Sequence, residues 1–445
     1  MKRDQLWKEF LKYVSLNVMG MIGLSCYILA DTFFVAKGLK TNGLAALNLA
    51  ISIYSFIHGT GLMIGIGGAT RYTILKAKEN HEEANKVFTL SVLFGLAVGV
   101  VYLLIGVFFS GTLSTLLGAN EATYALTKTY LTTILCFAPF FIMNNVIIAF
   151  VRNDGAPGLS MSGMLLGSLS NIILDYVFIF PLGMGMFGAA FATGLAPIVS
   201  MCVMSPHFIK KKNNFHLTKA IGKLSAIKNI VSLGATSFIT EVSSGIVIIV
   251  FNITILSLEG NTGVAAYGVV ANVALVVLSI FNGISQGMQP IISRHYGLGN
   301  SRSISKIFRY GMISAFVLAV IINICAWLFD TNLVSAFNSE NDRVLQEIAV
   351  NGIHLYFIGF LFAGLNIVCA SFFSSIEKPA QGFSVSLIRG FLAIIPAVLL
   401  LSRFFGMNGV WLSFPAAEGA ALLFAGFALL KNPITVKRVL KRNQA

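Results

Sequence analysis

Long apolar segments recur along the whole chain, and this pattern restricts the fold more than any other feature of the sequence. Each segment holds about 20 or more mostly apolar residues, the length that an α-helix needs to cross a bilayer. The predicted spans lie near residues 13–36, 44–72, 87–109, 124–151, 159–181, 187–207, 227–257, 264–293, 307–329, 346–374, 380–401 and 407–430. Only 11% of the residues are charged and 56% are hydrophobic, whereas soluble domains are about 25% charged. The sequence therefore predicts an all-α membrane protein of about twelve transmembrane helices.

Basic residues mark alternate loops between these spans, and they give the chain its net charge of +14. The cation-rich segments are the N-terminus, residues 71–86, 210–228 and 294–309, and the C-terminal tail at 431–442. Loops rich in Lys and Arg stay in the cytoplasm, so both termini are predicted to be cytoplasmic, which requires an even number of spans. Because membrane topology explains the positive charge, nucleic acid is not predicted as a partner.

The second half of the sequence repeats short motifs of the first half, in the same order and at a nearly constant offset. The recurring pairs are VSL at 14–16 and 231–233, GLAA at 43–46 and GVAA at 263–266, KVF at 86–88 and KIF at 306–308, and GMFG at 185–188 and GMNG at 406–409. Each repeat holds about six spans, so both halves enter the membrane from the same side, as in transporters with two parallel repeats.

This repeat predicts an N-terminal six-helix lobe at 1–207, a basic cytoplasmic linker at 208–226, and a C-terminal six-helix lobe with a cytoplasmic tail at 227–445. Two pseudo-symmetric bundles that can rock against each other provide alternating access to the two sides of a membrane. A receptor, an anchor or a membrane enzyme does not need such an arrangement.

Catalytic and cofactor motifs are missing from the sequence. None of the five cysteines has CxxC spacing, which is typical of small buried hydrophobic residues rather than of a metal site. There is no Walker A, HExxH or TVGYG motif. The sequence therefore predicts a protein that is not an enzyme, has no cofactor, and draws its energy from an ion gradient or from the gradient of its own substrate.

Only four acids fall well within the predicted spans: Asp31, Asp175, Glu241 and Glu418. A carboxylate inside the bilayer costs several kcal/mol on insertion scales and therefore needs a function or a partner. Arg389 is the one cation at comparable depth. Two interpretations remain open for the acids: they titrate protons, or they bind a metal cation.

Asn171 and Asp175 are four residues apart, which places an amide and a carboxylate on one face of a helix. Such oxygens suit a small hard ion such as Na⁺ or a proton relay, and Thr193 in the next span could add a hydroxyl. Glu241 is a candidate second titratable site in the C-terminal half. Glu418 follows Pro415, which frees a backbone carbonyl, so a structural role is favoured for that acid.

Amide side chains interrupt several apolar spans and are candidates for a substrate cavity. These residues are Asn144, Asn145, Asn272, Asn282, Gln286 and Gln289. The chain also has 37 Phe, 14 Met and 12 Tyr residues. Walls of aromatic and thioether side chains repack around ligands of different shape, which predicts bulky amphipathic compounds as ligands.

Several segments together resemble the multidrug and toxic compound extrusion (MATE) family of transporters. They are ADTFFV at 30–35 with GLAAL at 43–47, NIILDYVFIF at 171–180 with GAAFAT at 188–193, and QP at 289–290 with YGLGN at 296–300. The resemblance covers the whole chain, and the short loops are most similar to the bacterial MepA-like and DinF-like branch.

The resemblance implies a V-shaped arrangement of two six-helix lobes in a bacterial plasma membrane. It implies export of organic cations and other amphipathic toxins in exchange for H⁺ or Na⁺, by a chain that functions as a monomer among membrane lipids. The family's N-lobe cation ligands map onto Asp31, Asn171, Asp175 and Thr193, which would hold the only metal expected, Na⁺.

Glu241 matches the seventh-helix acid of the NorM-like branch of this family, which also has an acid in the tenth helix. The tenth span of this chain, around 357–373, has none. Glu241 is therefore predicted either to be a C-lobe charge site or to recognise the charge of the substrate.

Three rival functions fit the sequence less well. A flippase for lipid-linked precursors, from the same superfamily, would carry additional helices and a cavity rich in basic residues, which this sequence lacks. An uncoupled channel would not require four buried acids and a two-lobe repeat. A membrane-bound enzyme would require a catalytic constellation.

Overall fold

The computed structural model describes residues 3–219, 224–338 and 342–431, and within these ranges the chain is helical without strands. Three parts of the sequence-based predictions lie outside the described residues: Lys2 at the N-terminus, residues 220–223 of the linker, and the basic tail beyond 431. The helices are α1 (Arg3–Ala77), α2 (His81–Leu116), α3 (Glu121–Cys136), α4 (Ala138–Asn153), α5 (Pro157–Ile179), α6 (Gly185–Met204), α7 (Pro206–Ile209), α8 (Leu224–Gly297), α9 (Ser301–Leu328), α10 (Asp330–Ser335), α11 (Arg343–Tyr356), α12 (Phe360–Ser375), α13 (Pro379–Leu387) and α14 (Ile394–Leu430).

The number of spans follows from three long helical segments that each contain one break. Across the described part of the chain, eight helical segments are long and apolar enough to cross a membrane, and the α3–α4 pair, bent by 47°, brings the number to nine. The long segments 5–77, 225–297 and 379–430 each contain one residue with non-helical φ and ψ: Lys40, Gly260 and Gly406. Counting each of these three as two spans raises the total from nine to twelve, which confirms the predicted membrane bundle.

A residue with positive φ forms each of these three breaks. Gly260 has φ of 61° and Gly406 has φ of 55°, a conformation that glycine adopts without a steric penalty. Lys40 has φ of 58°, which costs energy for a residue with a side chain. The sequence predicted separate spans joined by short loops, and the structure replaces each of these loops by one residue.

Matching helix caps follow the long helices α1 and α8. The Asn80 side chain accepts a hydrogen bond from the backbone N–H of Glu83 (3.3 Å), and Asn300 accepts one from Ser303 (3.1 Å). An asparagine in this position satisfies one of the free N–H groups at the start of a helix. Asn80 precedes the KVF motif at 86–88 by the same spacing as Asn300 precedes the KIF motif at 306–308. The two caps therefore occupy equivalent positions in the two repeats.

Packing divides the chain into two compact units. The first unit is Ser15–Val242, and the second combines Met1–Val14 with Ser243–Ala445. Both divisions fall inside long helices, α1 and α8. The lobe boundaries at 207 and 227 rest on the internal sequence repeat and stay predictions.

In the first unit, glycine residues allow close contact between α8 and α1. A Cβ atom on Gly234 would overlap the backbone carbonyl of Met63, and one on Gly67 would overlap that of Ile230. Glycine at both positions lets the two helix backbones come into direct contact.

An aromatic cluster fixes the start of the linker on the first unit. Phe215 is fully buried, and its ring centroid lies 4.6 Å from Phe88 and 5.6 Å from Phe150. Buried aromatic pairs of this kind contribute about 0.5–1.5 kcal/mol beyond their area burial. The linker at this point is therefore part of the packed unit.

Asp154, between α4 and α5, joins the linker to the helices electrostatically. Its fully buried carboxylate accepts hydrogen bonds from Lys76 Nζ (2.8 Å) and the backbone N–H of Asn214 (2.9 Å), and lies 3.1 Å from His207 Nε2. Burial by itself would raise the pKa of Asp154, but the hydrogen bonds from Lys76, Asn214 and His207 hold this pKa below its ordinary value.

Asp154→Asn is expected to destabilise the protein by about 2–3 kcal/mol at neutral pH, because Lys76 and the linker lose a buried anionic partner. A carboxyl whose pKa is lower in the folded state stabilises the fold above its unfolded pKa, and this contribution is lost as the pH falls through the folded pKa. The melting temperatures of the two proteins should therefore converge below about pH 4. A gap that stays constant from about pH 7 to about pH 3.5 would contradict this assignment.

Candidate functional site

Two buried aspartates form the centre of the candidate site. Asp31 lies in the first half of α1 and Asp175 lies in α5, with 7% and 0% of their surfaces exposed. The two side chains are within hydrogen-bonding reach of each other. Among the described residues, Oδ1 of each carboxyl group has no hydrogen-bond donor. A buried pair of this kind is stable only if a proton or another cation neutralises part of its charge.

Asn171 and Thr193 complete the predicted set, and the structure brings them to this pair. The Asn171 amide group is oriented so that its nitrogen donates to Asp175 Oδ2 (3.1 Å) and its oxygen accepts from the backbone N–H of Thr193 (3.2 Å). The Thr193 hydroxyl donates to the carbonyl of Ala189 (3.0 Å), one turn earlier in α6. The helical spacing of Asn171 and Asp175 therefore produces the contact that the sequence predicts.

The donor atoms of this site suit either H⁺ or Na⁺, the two ions that the sequence leaves open. Two carboxylates, an amide oxygen and a hydroxyl are the hard oxygen ligands that small cations prefer, and the carboxylates can equally hold a proton. In the described ranges, no group of three or more His, Cys, Asp or Glu side chains is placed to hold a metal ion. The ligands of this site are oxygen atoms, whereas transition-metal centres typically use imidazole or thiolate ligands.

Tyr130, which the sequence analysis did not select, belongs to the same site. It is buried in α3, and its hydroxyl group interacts with the Thr193 side chain. It is also close enough to Asp31 and Asp175 to interact with their charges. A tyrosine inside an apolar span has no distinctive spacing, so only its position in the folded bundle shows this role.

A second polar group in the first unit contains Glu241. Oε1 of Glu241 lies 3.1 Å from Nδ1 of His58, whose ring stacks on Tyr54 at a centroid distance of 5.8 Å. The hydroxyl groups of Tyr54 and Tyr27 are 2.8 Å apart. Packing thus places Glu241 in the unit that contains Asp31, although its helix begins the second sequence repeat.

The six predicted cavity residues divide between the two units. Asn144 and Asn145 lie in the first unit, where Asn145 donates to the carbonyl of Phe141 (3.0 Å). The other four lie in the second unit: Asn272, Asn282, Gln286 and Gln289. Gln289 is buried and donates to the Ser293 hydroxyl (3.3 Å). Their role in substrate binding stays a prediction.

Comparison with known proteins gives two matches to one family. The sequence model of the MatE family matches residues 18–177 and again residues 235–399. Each match begins just after one copy of the repeated VSL motif, at 14–16 and at 231–233. The family unit therefore coincides with the internal repeat.

Curated relatives match along nearly their full length. The chain is 25% identical to the multidrug export protein MepA of Staphylococcus aureus, over 98% of this chain and 96% of the relative. It is 24% identical to the protein of that name from Staphylococcus saprophyticus, over 98% and 97%.

The fold is shared with solved structures. One of these, described as an outward-facing conformation of a multidrug resistance MATE family transporter of the MOP superfamily, is 21% identical, with a TM-score of 0.90 and coverage of 100% of this chain and 99% of the other. Together with the two family matches, this fold shows that the chain belongs to the MatE family of multi-pass membrane transporters.

Proposed function

We propose that this protein exports amphipathic and cationic organic compounds in exchange for H⁺ or Na⁺. The observation that carries the proposal is the buried pair Asp31 and Asp175, in which two carboxyl oxygens receive no hydrogen bond from any described residue. Such a pair attracts a cation or a proton. The names of the curated relatives, which describe multidrug export, support the class of substrate.

Ion binding at this pair would drive the transport cycle. A cation or proton arriving from outside neutralises the carboxylates and alters how α1 packs on α5, so the organic compound loses its binding surface and leaves. The ion then dissociates into the cytoplasm, where its activity is low. The ion gradient supplies the work, and the difference in ion affinity between the two conformations couples it to export. Each net charge that crosses 100 mV contributes about 2.3 kcal/mol.

Topology and assembly complete the proposal. The transporter lies in the bacterial plasma membrane with both termini in the cytoplasm, as the distribution of basic loops predicts. It works as a monomer surrounded by lipid, without a cofactor. Glu241 is proposed to attract the positive charge of the organic compound.

Efflux of ethidium from proteoliposomes tests this function, with the Na⁺ gradient and the pH gradient imposed separately. Efflux that follows one gradient supports antiport and names the coupling ion. Absence of transport under every gradient, with folded protein confirmed, would contradict the proposal. Transport of a lipid-linked pyrophosphate in the same liposomes would then favour the flippase alternative.

A further inference from the structure

A buried ion pair occupies the second unit. Nη2 of Arg389 lies 2.6 Å from Oε1 of Glu418, and Nε lies 3.0 Å from Oε1 and 3.2 Å from Oε2. Only 10% of the Arg389 side chain and 2% of the Glu418 side chain are exposed. The Asn366 amide donates to Glu418 Oε2 (2.7 Å) and to the Glu418 backbone carbonyl (2.8 Å). The carboxylate of Glu418 therefore has donors on both oxygens.

The two aspartates of the candidate site have the opposite environment. Within the part of the chain that the structure describes, Asp31 and Asp175 each keep one oxygen without a donor, and neither contacts an arginine or a lysine. Each unit thus contains a carboxylate beside an asparagine. In the first unit the compensating positive charge must come from outside the protein, whereas in the second unit the protein supplies it.

Local backbone features bring the guanidinium to this position. Residues Ile388–Leu392 form one wide π-helical turn between α13 and α14, and such turns are frequent at functional sites. Gly390 in this turn lets the backbone approach Ser243, where a Cβ atom would overlap the serine side chain. Arg389 therefore lies in an irregular turn within a membrane span, and this turn brings its side chain to Glu418.

One further atom beside the pair is free to bind a cation. Oδ1 of Asn366 is buried, and no described residue donates a hydrogen bond to it. A carboxylate and an amide oxygen are the ligand types found at Asp175 and Asn171 in the first unit. Without the guanidinium, Glu418 and Asn366 would present the same chemistry to a monovalent cation.

We propose that Glu418 and Asn366 form a latent monovalent-cation site, and that Arg389 fills it permanently as a tethered cation. The second unit then takes up neither Na⁺ nor a proton during transport, and ion exchange is confined to the first unit. This inference rests on the proposed function only for its consequence in transport, because the site itself is defined by the ion pair.

Thermal unfolding of purified Arg389→Gln tests the site. A background of Asp31→Asn with Asp175→Asn removes both carboxylates of the first unit, and added Na⁺ and guanidinium chloride are compared with choline chloride at equal ionic strength. We expect Na⁺ or guanidinium, at millimolar concentration, to raise the melting temperature of the variant saturably, since a ligand of the folded state stabilises it. The Arg389 parent should respond at least about tenfold more weakly, because its site is filled.

Two further variants keep the result decisive. Arg389→Gln combined with Glu418→Gln lacks the anion and should lose the response to both cations. Arg389→Lys retains a tethered charge and should remain unresponsive. If Arg389→Gln gives little folded protein, purification in Na⁺ or guanidinium chloride should raise its yield of monodisperse protein above that in choline chloride, and equal yields would overturn the proposal.

An Arg389→Gln variant whose melting temperature responds to neither Na⁺ nor guanidinium would overturn the proposal. A response of Arg389→Lys equal to that of Arg389→Gln would overturn it as well. Because the readout is thermal stability, failure of ethidium transport would count against the proposed function alone.

Discussion

Asp31→Asn should abolish ethidium efflux driven by an ion gradient while leaving folded protein in the membrane. Asp31 and Asp175 together supply the carboxylates at the candidate site, and the substitution removes one charge without changing the shape of the side chain. Exchange of one H⁺ or Na⁺ for one ethidium cation moves no net charge, so a tenfold ion gradient supplies about 1.4 kcal/mol, or about a tenfold concentration ratio of ethidium. We expect this ratio to fall to about 1, measured as steady-state ethidium accumulation in proteoliposomes.

The thermal stability of Asp31→Asn should rise or stay constant, although its ethidium efflux is lost. Two buried carboxyl groups in contact repel when both are charged, so loss of one charge relieves a cost of the folded state. The matched control is Asp330→Asn in the second unit, where the carboxylate pairs with His354 at 2.7 Å. Normal gradient-driven accumulation by Asp31→Asn, at expression equal to that of Asp330→Asn, would remove Asp31 from the coupling mechanism.

Gly234→Ala should destabilise the first unit by about 3 kcal/mol or more, the upper end of the cost of overpacking. The new Cβ would overlap the backbone carbonyl of Met63. A flexible side chain could move aside, but a carbonyl held in the helix α1 cannot move without separating the two helices. We expect a melting temperature lower by several degrees and reduced yield of monodisperse protein.

Gly268→Ala is the matched control, because it makes the same chemical change in the same helix α8. Among the described residues, no neighbouring heavy atom lies within 4 Å of its added Cβ. Alanine is favoured over glycine in a helix by about 1 kcal/mol, so this variant should be as stable as the natural protein or slightly more stable. Equal melting temperatures for the two alanine variants would show that the α1–α8 contact is not close.

The membrane-spanning segments and the repeat could be read from the sequence because both are encoded locally. A span is recognised from about 20 consecutive apolar residues, whatever they pack against. The predicted boundaries near 44–72 and 264–293 fall within α1 and α8 beyond their breaks at Lys40 and Gly260. The contact of Asn171 with Asp175 was equally local, since residues four apart share a helix face.

The sequence left open which acid Arg389 would neutralise. The structure pairs it with Glu418, which lies in α14 beyond the break at Gly406, and also gives Glu418 a partner in Asn366. The predicted role of Glu418 in satisfying the backbone after Pro415 is thus replaced by an ion pair. Spacing along the chain carries no information about such contacts, because they depend on how separate helices are rotated and packed.

The sequence by itself determined the membrane class, the helix positions and the repeat, and its motifs pointed to the four residues of the candidate site. Tertiary structure decided which of the buried acids lack a counter-charge, that Tyr130 faces Asp31 and Asp175, and that Glu241 meets His58. The physical reason is the range of the interactions. Hydropathy and helical periodicity act within one helix, whereas the neutralisation of a buried charge depends on side chains that only packing brings together.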